Sequence, residues 1–487
     1  VRILYIDIDT LRPDHIGAYG YHRATSPTLD AIAAQGARFT ACHASDVPCL
    51  PSRTALFSGQ FGARTGVVGH AGTAAHMKYP GDAHSTDPAR LPLPMALSNG
   101  GLRTTTFSTF HQRHLAWHFC AGWDEIQRFT HDIGDEIATD LEGPARQWLT
   151  AHAAEEDWFL HLHFWDPHTP YRTPLEYGNP FADSPPPSFP SPDDLAAQQR
   201  GWGPTGAADV AQYLHGVRHP SALATPADYK EWIDGYDVGI RFADDAVGRL
   251  LDVLAAQGVL DECAVIVSSD HGENQGELNL YGSHLTADAI TTRIPLIIRW
   301  PGTTSAGAVF DEPVYQLDLA PTLCDLAGVE TPALWDGRSF AGLLTGQPYE
   351  PREYLVTGQG VWCVQRAVIA DGYQYVRTLH PGLNPMPDEM LFDLRADPYE
   401  QVDLVEKEPE TAGRLARLLG DWWTDNAVDA GQDPLLTVCR EGGGYYVRAA
   451  RDAYIGRLRA TGRVAQAQEL EGRRIAPVRD PFDLTRI

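Results

Sequence analysis

The chain lacks several things that would have placed it quickly. No apolar run approaches the roughly 18 residues that a membrane-crossing helix needs. Positive charge is scarce, with 38 Lys and Arg against 64 Asp and Glu and a formal net charge of −26. A chain that acidic is expected to have no nucleic acid and no anionic membrane surface as a general partner. An anionic substrate stays open, because local basic residues decide that. The seven cysteines (Cys42, Cys49, Cys120, Cys263, Cys324, Cys363 and Cys439) are odd in number and contain no Cys-x-x-Cys pair. That is neither a disulfide framework nor a zinc ribbon, and cytoplasmic residence is the simpler expectation. No internal repeat is visible. What remains is 43% hydrophobic and 21% charged residues over 487 positions. That suits a globular protein of one large domain and one smaller one.

The order of segments reads as α/β. Arg2 to Ile8 is a short apolar run ending at Asp9, as buried parallel strands do, and Asp7 shares a face with Asp9. Ser26-Pro27 opens a helix with Leu29, Ile32 and Ala33 on one face. Leu102 to Ser108 and Trp158 to Trp165 are β-prone, and residues 133–153 read as a helix. Thr225-Pro226 opens a long helix whose apolar face is Trp232, Tyr236, Ile240, Ala243, Val247, Leu250 and Leu254, with Gly258 as its stop. Cys263 to Ser269 is a buried strand, and Pro295 suggests an edge or a bulge in the strand Arg293 to Trp300. The expected architecture is a large, mixed but mostly parallel sheet flanked by helices over residues 1–345. A smaller α+β subdomain with an antiparallel sheet, a helix and a charged tail follows over 346–487.

One stretch stands out, Asp46-Val47-Pro48-Cys49-Leu50-Pro51-Ser52-Arg53 through Gly59-Gln60. The two prolines are expected to keep helix from crossing the cysteine, so that a helix starts near Thr54 and stops at Gly59. Cys49 then sits just ahead of a helix N-terminus, which favours an anion, and Arg53 adds a planar donor fork. Taken alone, the stretch reads equally well as a buried free cysteine before an ordinary helix. Elsewhere, apolar strands end in Asp9, in Thr109-Phe110-His111, in Asp166 with His168, and in Asp270 with His271. Each is weak alone, but their repetition at strand ends favours one shared site.

The pattern Cys-x-Pro-Ser-Arg with its later glycine resembles the signature of type I sulfatases, in the alkaline phosphatase superfamily. The resemblance extends to Asp9-Thr10-Leu11-Arg12-Pro13-Asp14, Asp166-Pro167-His168-Thr169-Pro170-Tyr171, Ser269-Asp270-His271-Gly272-Glu273, 294–302 and 391–400. It implies that Cys49 is oxidised to formylglycine by a formylglycine-generating enzyme. One hydroxyl of the aldehyde hydrate attacks sulfur, and the other loses its proton to expel sulfate, a turnover that a thiolate adduct would not complete. It further implies Asp9, Cys49, Asp270 and His271 around one divalent metal, with Ca2+ first and Mn2+ or Zn2+ as alternatives. Arg53 would orient the hydrate, and His168 would donate to the ester oxygen. His111, Thr109 and His284 would complete the catalytic and substrate-binding set.

Three departures qualify the resemblance. Thr10 stands where many sulfatases have a second acid, Thr109 where the family has a lysine, and His284 where it has another, with Ser283 competing by one register. Thr10 resembles the pattern of phosphonate monoester hydrolases and their promiscuous sulfatase relatives, and Thr10 and Thr109 together favour that alternative. Histidine in place of lysine implies activity that is pH-sensitive near neutrality, falling below the pKa of whichever histidine must act neutral. The expected function is hydrolysis of a sulfate ester, with a saccharide sulfate as the family's habit suggests and a phosphonate monoester or phosphodiester as the alternative substrate. A binding protein that has lost the modification is a third reading, opposed by the joint presence of Cys49, Arg53, Asp9, Asp270, His271 and His168. Trp362, Arg366, Arg377, Arg440 and Gly442 to Gly444 are candidates to reach the site from the smaller domain, each more simply structural.

Overall fold

The computed structural model describes residues 1–77, 91–206, 218–220, 222–427 and 433–473. Arg2–Ile8 lies inside a nine-stranded sheet. It pairs in parallel with Trp158–Phe164 on one side and with Cys263–Ser268 on the other. Arg103–Phe107 and Glu125–Gln127 extend the first side, also in parallel. Arg293–Arg299 extends the second and runs antiparallel to both of its neighbours, Cys263–Ser268 and Ala37–His43. Strands buried on both faces need near-continuous apolar sequence, and Ile3, Leu4, Ile6 and Ile8 are all fully buried.

Alternation along the strands decides what faces the site. Leu4, Ile6 and Ile8 pack with Leu160, Leu162 and Val265 under the helices Ala138–His152 and Pro226–Ala256. Ile3 and Tyr5 pack on the opposite face with Phe159 and Ile266, under Cys49–Ser58, Leu93–Asn99 and Leu319–Ala327. The period of two therefore puts Asp7 and Asp9 on the side covered by the Cys49–Ser58 helix. His161 and His163 take the same side of the neighbouring strand, with His163 level with Asp7.

The long helix runs Pro226–Ala256, and all seven expected face residues are buried. Its start is a reciprocal cap: the Thr225 hydroxyl accepts from the Asp228 N–H at 3.2 Å, while Asp228 accepts from the Thr225 N–H at 2.8 Å. The helix read over 133–153 is shorter, Ala138–His152. Pro295 marks a bulge and not an edge. Its strand lies between two others, and the register shifts between Ile294 and Leu296, where the missing N–H leaves a gap in the ladder.

A second, five-stranded sheet carries Leu355–Gln359, Val364–Ala370, Tyr373–His380 and Glu389–Asp393 as an antiparallel meander. Helix Pro409–Ala427 packs on it through Leu415, Leu419 and Trp422. The fifth strand is Asp46–Val47, which adds in parallel to Leu355–Gln359. The residues leading into Cys49 are thus an edge of the smaller sheet. Further on, Tyr445–Ala460 and Val464–Gly472 form a helical pair through Val447, Leu458, Ala467 and Leu470. Of residues 62–81, rich in glycine and small residues and expected from the sequence to be a loop lining a site or surface, 78–81 lie outside the described residues, as does the last part of the tail (474–487).

Leu250→Ala, on the buried face of the long helix, is expected to lower the free energy of unfolding by about 2–5 kcal/mol. Asp252→Ala, on its exposed face, is expected to change it by less than about 0.5 kcal/mol. Parallel urea melts check this, and equal effects would contradict the assigned face.

Candidate active site

The helix that carries Cys49 begins at that residue. It runs Cys49–Ser58 with Pro48 at its N-cap and Gly59 closing it at φ +63°. The expectation that Pro51 keeps helix from crossing the cysteine does not hold. Pro51 falls in the first turn, where N–H groups have no intrahelical acceptor, so its missing donor costs nothing and its fixed φ suits the helix. Cys49 therefore opens the helix, and Arg53 follows one turn later on the same face. Ser52 ties the helix down, its hydroxyl lying 2.7 Å from the Asp270 carbonyl and 2.8 Å from Gln316 Oε1, either of which can accept its one proton.

Arg53 is fully buried and meets three carboxylates. Nε and Nη2 grip both oxygens of Asp7 at 2.7 and 3.1 Å. Nη1 reaches Asp9 Oδ2 at 3.0 Å and Asp270 Oδ2 at 2.5 Å. The guanidinium also lies 4.8 Å from the centre of the Phe110 ring. Burial alone would raise the Asp7 and Asp9 pKa values, but Arg53 overrides it and holds both well below the usual carboxylate range. Asp270 goes the other way, because burial and the neighbouring Asp9 and Asp7 outweigh the same guanidinium. With all three carboxylates ionised, as a bound cation would hold them, one guanidinium leaves two negative charges, the charge of one divalent cation.

The donors for such an ion are in place. One atom each from Asp9, Cys49, Asp270 and His271 lie within 4.8 Å of one another. That spread admits a common centre at oxygen–calcium distances of about 2.3–2.6 Å. Asp9 Oδ1 and Thr10 Oγ1 are buried with no hydrogen-bond partner. His271 donates from Nδ1 to the Gly272 carbonyl at 2.8 Å, which leaves the Nε2 lone pair free, 3.1 Å from Cys49 Sγ. The residues fit a divalent cation. The Cys49 thiol itself is a poor nucleophile: burial, then Asp9 and Asp270, raise its pKa well above the ordinary value.

Histidines surround the rest of the site. The His284 ring is 4.3 Å from that of His271 and 5.6 Å from that of His168, and its Nδ1 is buried and unpartnered. Of the two registers left open by the sequence, it is His284 that lies beside His271, while Ser283 donates to the Tyr281 carbonyl. His168 donates from Nδ1 to the Thr169 carbonyl, leaving Nε2 free. Two further rings join them. His70 faces the Leu50 N–H at 3.4 Å, and His114 packs 4.7 Å from His70. Burial lowers the pKa of all four, and brings His271 to about 4, so these rings are neutral at pH 7.

Other expected members point elsewhere. His111 stacks on Phe119 at 6.5 Å and its Nδ1 is unpartnered; from this segment it is His114 that reaches His70. Thr109 donates to Glu136 and accepts from Trp165 Nε1 at 3.0 Å, so its hydroxyl is used within the wall. Asp166 accepts from the Ala138 N–H at 2.7 Å and anchors the start of the Ala138–His152 helix, with burial raising its pKa to about 7. Arg366 is taken by Asp433 at 2.8 and 3.0 Å, and Arg377 by Glu389. Beneath the site, His161 and His163 come within 3.4 Å of Asp7 and Asp9. The alternation Trp158-Phe159-Leu160-His161-Leu162-His163 was the available signal for these two.

The sequence matches the family model described as Sulfatase over residues 2–329, and the one described as N-sulphoglucosamine sulphohydrolase, C-terminal, over residues 276–418. It is 24% identical over 471 residues to the uncharacterized sulfatase YidJ of Escherichia coli K12, covering 83% of each chain. It is 22% identical over 478 residues to the N-acetylglucosamine-6-O-sulfatase of Bacteroides thetaiotaomicron, again covering 83% of each. The phosphonate monoester hydrolase of Agrobacterium radiobacter shares the fold, with a TM-score of 0.68 at 20% identity over 87% of this chain and 96% of that one. With one family model covering residues 2–329 of 487, on a fold that gathers Asp9, Arg53, Asp270 and His271 around Cys49, the chain belongs to the sulfatase family and is a sulfuric ester hydrolase.

Proposed function

We propose that the ester hydrolysed is a saccharide sulfate, that Cys49 is converted to formylglycine by a formylglycine-generating enzyme, and that the metal is Ca2+. The observation that carries the reading is the quartet Asp9, Cys49, Asp270 and His271 with Arg53 between its acids. The saccharide is supported by the match over residues 276–418 and by the N-acetylglucosamine-6-O-sulfatase likeness. Calcium is favoured over Mn2+ or Zn2+ because, after conversion, oxygens outnumber the single imidazole. Seven unpaired cysteines, most of them buried, support a cytoplasmic setting.

When bound, the cation would polarise the hydrate and offset charge on the sulfate oxygens. The chain's own residues do the rest. Asp7 fixes two edges of the Arg53 guanidinium, so Nη1 stays aimed at the centre and residue 49 is held one turn away. His168, with Nδ1 committed, turns Nε2 to the ester oxygen. That nitrogen needs a proton before it can donate, and burial keeps it unprotonated until an anion arrives. His284 offers a second imidazole from the opposite loop.

Thr10 in place of a second acid, and the phosphonate hydrolase fold likeness, favour the alternative of a phosphonate monoester or phosphodiester on the same scaffold. The matured enzyme is expected to turn over an aryl sulfate faster than an aryl phosphonate, with sulfated sugars as the best of a panel, and Cys49→Ala is expected to remove activity on all of them. Faster phosphonate turnover would replace the first reading with the second. Asp7→Asn is expected to lower kcat more than about tenfold with KM changed less than about threefold, because Asp7 acts through the placing of Arg53. An unchanged kcat contradicts that role. Sulfate binding is expected to take up a proton at His168, so its Kd rises with pH, by up to about tenfold per unit above the free-state pKa. Calorimetry in two buffers of different ionisation enthalpy reads the uptake, and zero uptake contradicts it.

A further inference from the structure

We propose that unconverted Cys49, together with His271 and His284, forms a second metal set that takes a thiophilic cation of the Zn2+ type, and that conversion of Cys49 abolishes it. The three donor atoms lie within 4.8 Å of one another. Each is presented for coordination. Cys49 Sγ is 3.1 Å from His271 Nε2, and the Gly272 carbonyl holds the other ring nitrogen of His271 in the tautomer that leaves Nε2 free. His284 Nδ1 is a buried nitrogen without a partner, beside the His271 ring at 4.3 Å. Gln359 Nε2 donates to the His284 carbonyl at 2.7 Å and fixes that loop from the smaller sheet. Two imidazoles and a thiolate, with a fourth position left for water, are the donor set of a zinc site.

This set shares residues 49 and 271 with the carboxylate set of Asp9 and Asp270, so the two compete for the same donors. A thiolate favours a soft cation, and an oxygen in its place favours a hard one. The chemical state of residue 49 therefore selects the metal. Binding needs no oxidant: the thiol S–H bond breaks, the Zn–S bond forms, and the proton leaves to solvent. The zinc set itself needs only the thiol. Its loss on maturation rests on the conversion proposed above.

The test uses the full chain produced without maturation, titrated with Co2+ as a spectroscopic stand-in for Zn2+. One Co2+ per chain is expected, with a sulfur-to-cobalt charge-transfer band that Cys49→Ser removes. His284→Ala and the closer-sized His284→Asn are each expected to weaken Co2+ at least about tenfold, as loss of a ligand should, while Asp9→Asn, which removes a nearby charge and no ligand of this set, leaves the charge-transfer band in place. A band that survives both His284 variants overturns the proposal. So does a band lost in Asp9→Asn, which would place cobalt among the carboxylates. Converted protein is expected to show no such band and to bind Ca2+ with the same affinity in wild type and His284→Asn. Unchanged high Zn2+ affinity after conversion overturns the switch and leaves the thiol set standing.

Discussion

The bidentate grip of Asp7 on Arg53 is the contact on which the site depends. A buried guanidinium needs a partner, and breaking such a pair by removing one side costs about 3–5 kcal/mol. Asp7 supplies that partner from near the end of the buried strand Arg2–Ile8, which leaves one nitrogen of the fork for Asp9 and Asp270. The arrangement also settles the charge. Thr10 removes an acid from the first metal segment, and Asp7, two residues before Asp9, restores the third carboxylate without becoming a candidate ligand. The resulting excess of two negative charges, in a place that water does not reach, calls for a divalent cation more strongly than any single ligand does.

Sheet geometry explains how residues so far apart in sequence meet there. Parallel strands bring the ends of Arg2–Ile8, Trp158–Phe164 and Cys263–Ser268 to one edge, and the period of two turns their acids and histidines to one face. The Cys49–Ser58 helix covers that face. Its approach is set by Asp46–Val47, a strand belonging to the smaller sheet. The smaller sheet thus positions residue 49 and, through Gln359, the His284 loop. It is part of the site's framework as well as a wall beyond it.

Much of this was legible in the sequence where chemistry is local. Cys49 and Arg53 are one helical turn apart, and Asp9, Asp270 and His271 each end an apolar strand, so pattern and placement coincide. The mixed sheet, the long helix and the small meander followed from periodicity for the same reason. What escaped depended on neighbours distant in sequence. Pro51 reads as a helix breaker until its first-turn position is known. Asp166 reads as a site acid until Ala138 supplies the N–H that it accepts. Asp7 was seen on the right face, but nothing in the sequence links it to Arg53. His70 and His114 lie in segments without strong periodicity, and only packing brings their rings together.

The most direct test of the account is calorimetric titration of the matured, metal-stripped protein with Ca2+. Charge balance around Arg53 predicts one ion per chain, with affinity falling sharply in Asp9→Asn and also, through charge alone, in Asp7→Asn. No binding, or binding indifferent to both substitutions, would contradict the claim that a divalent cation completes the buried carboxylates beside residue 49.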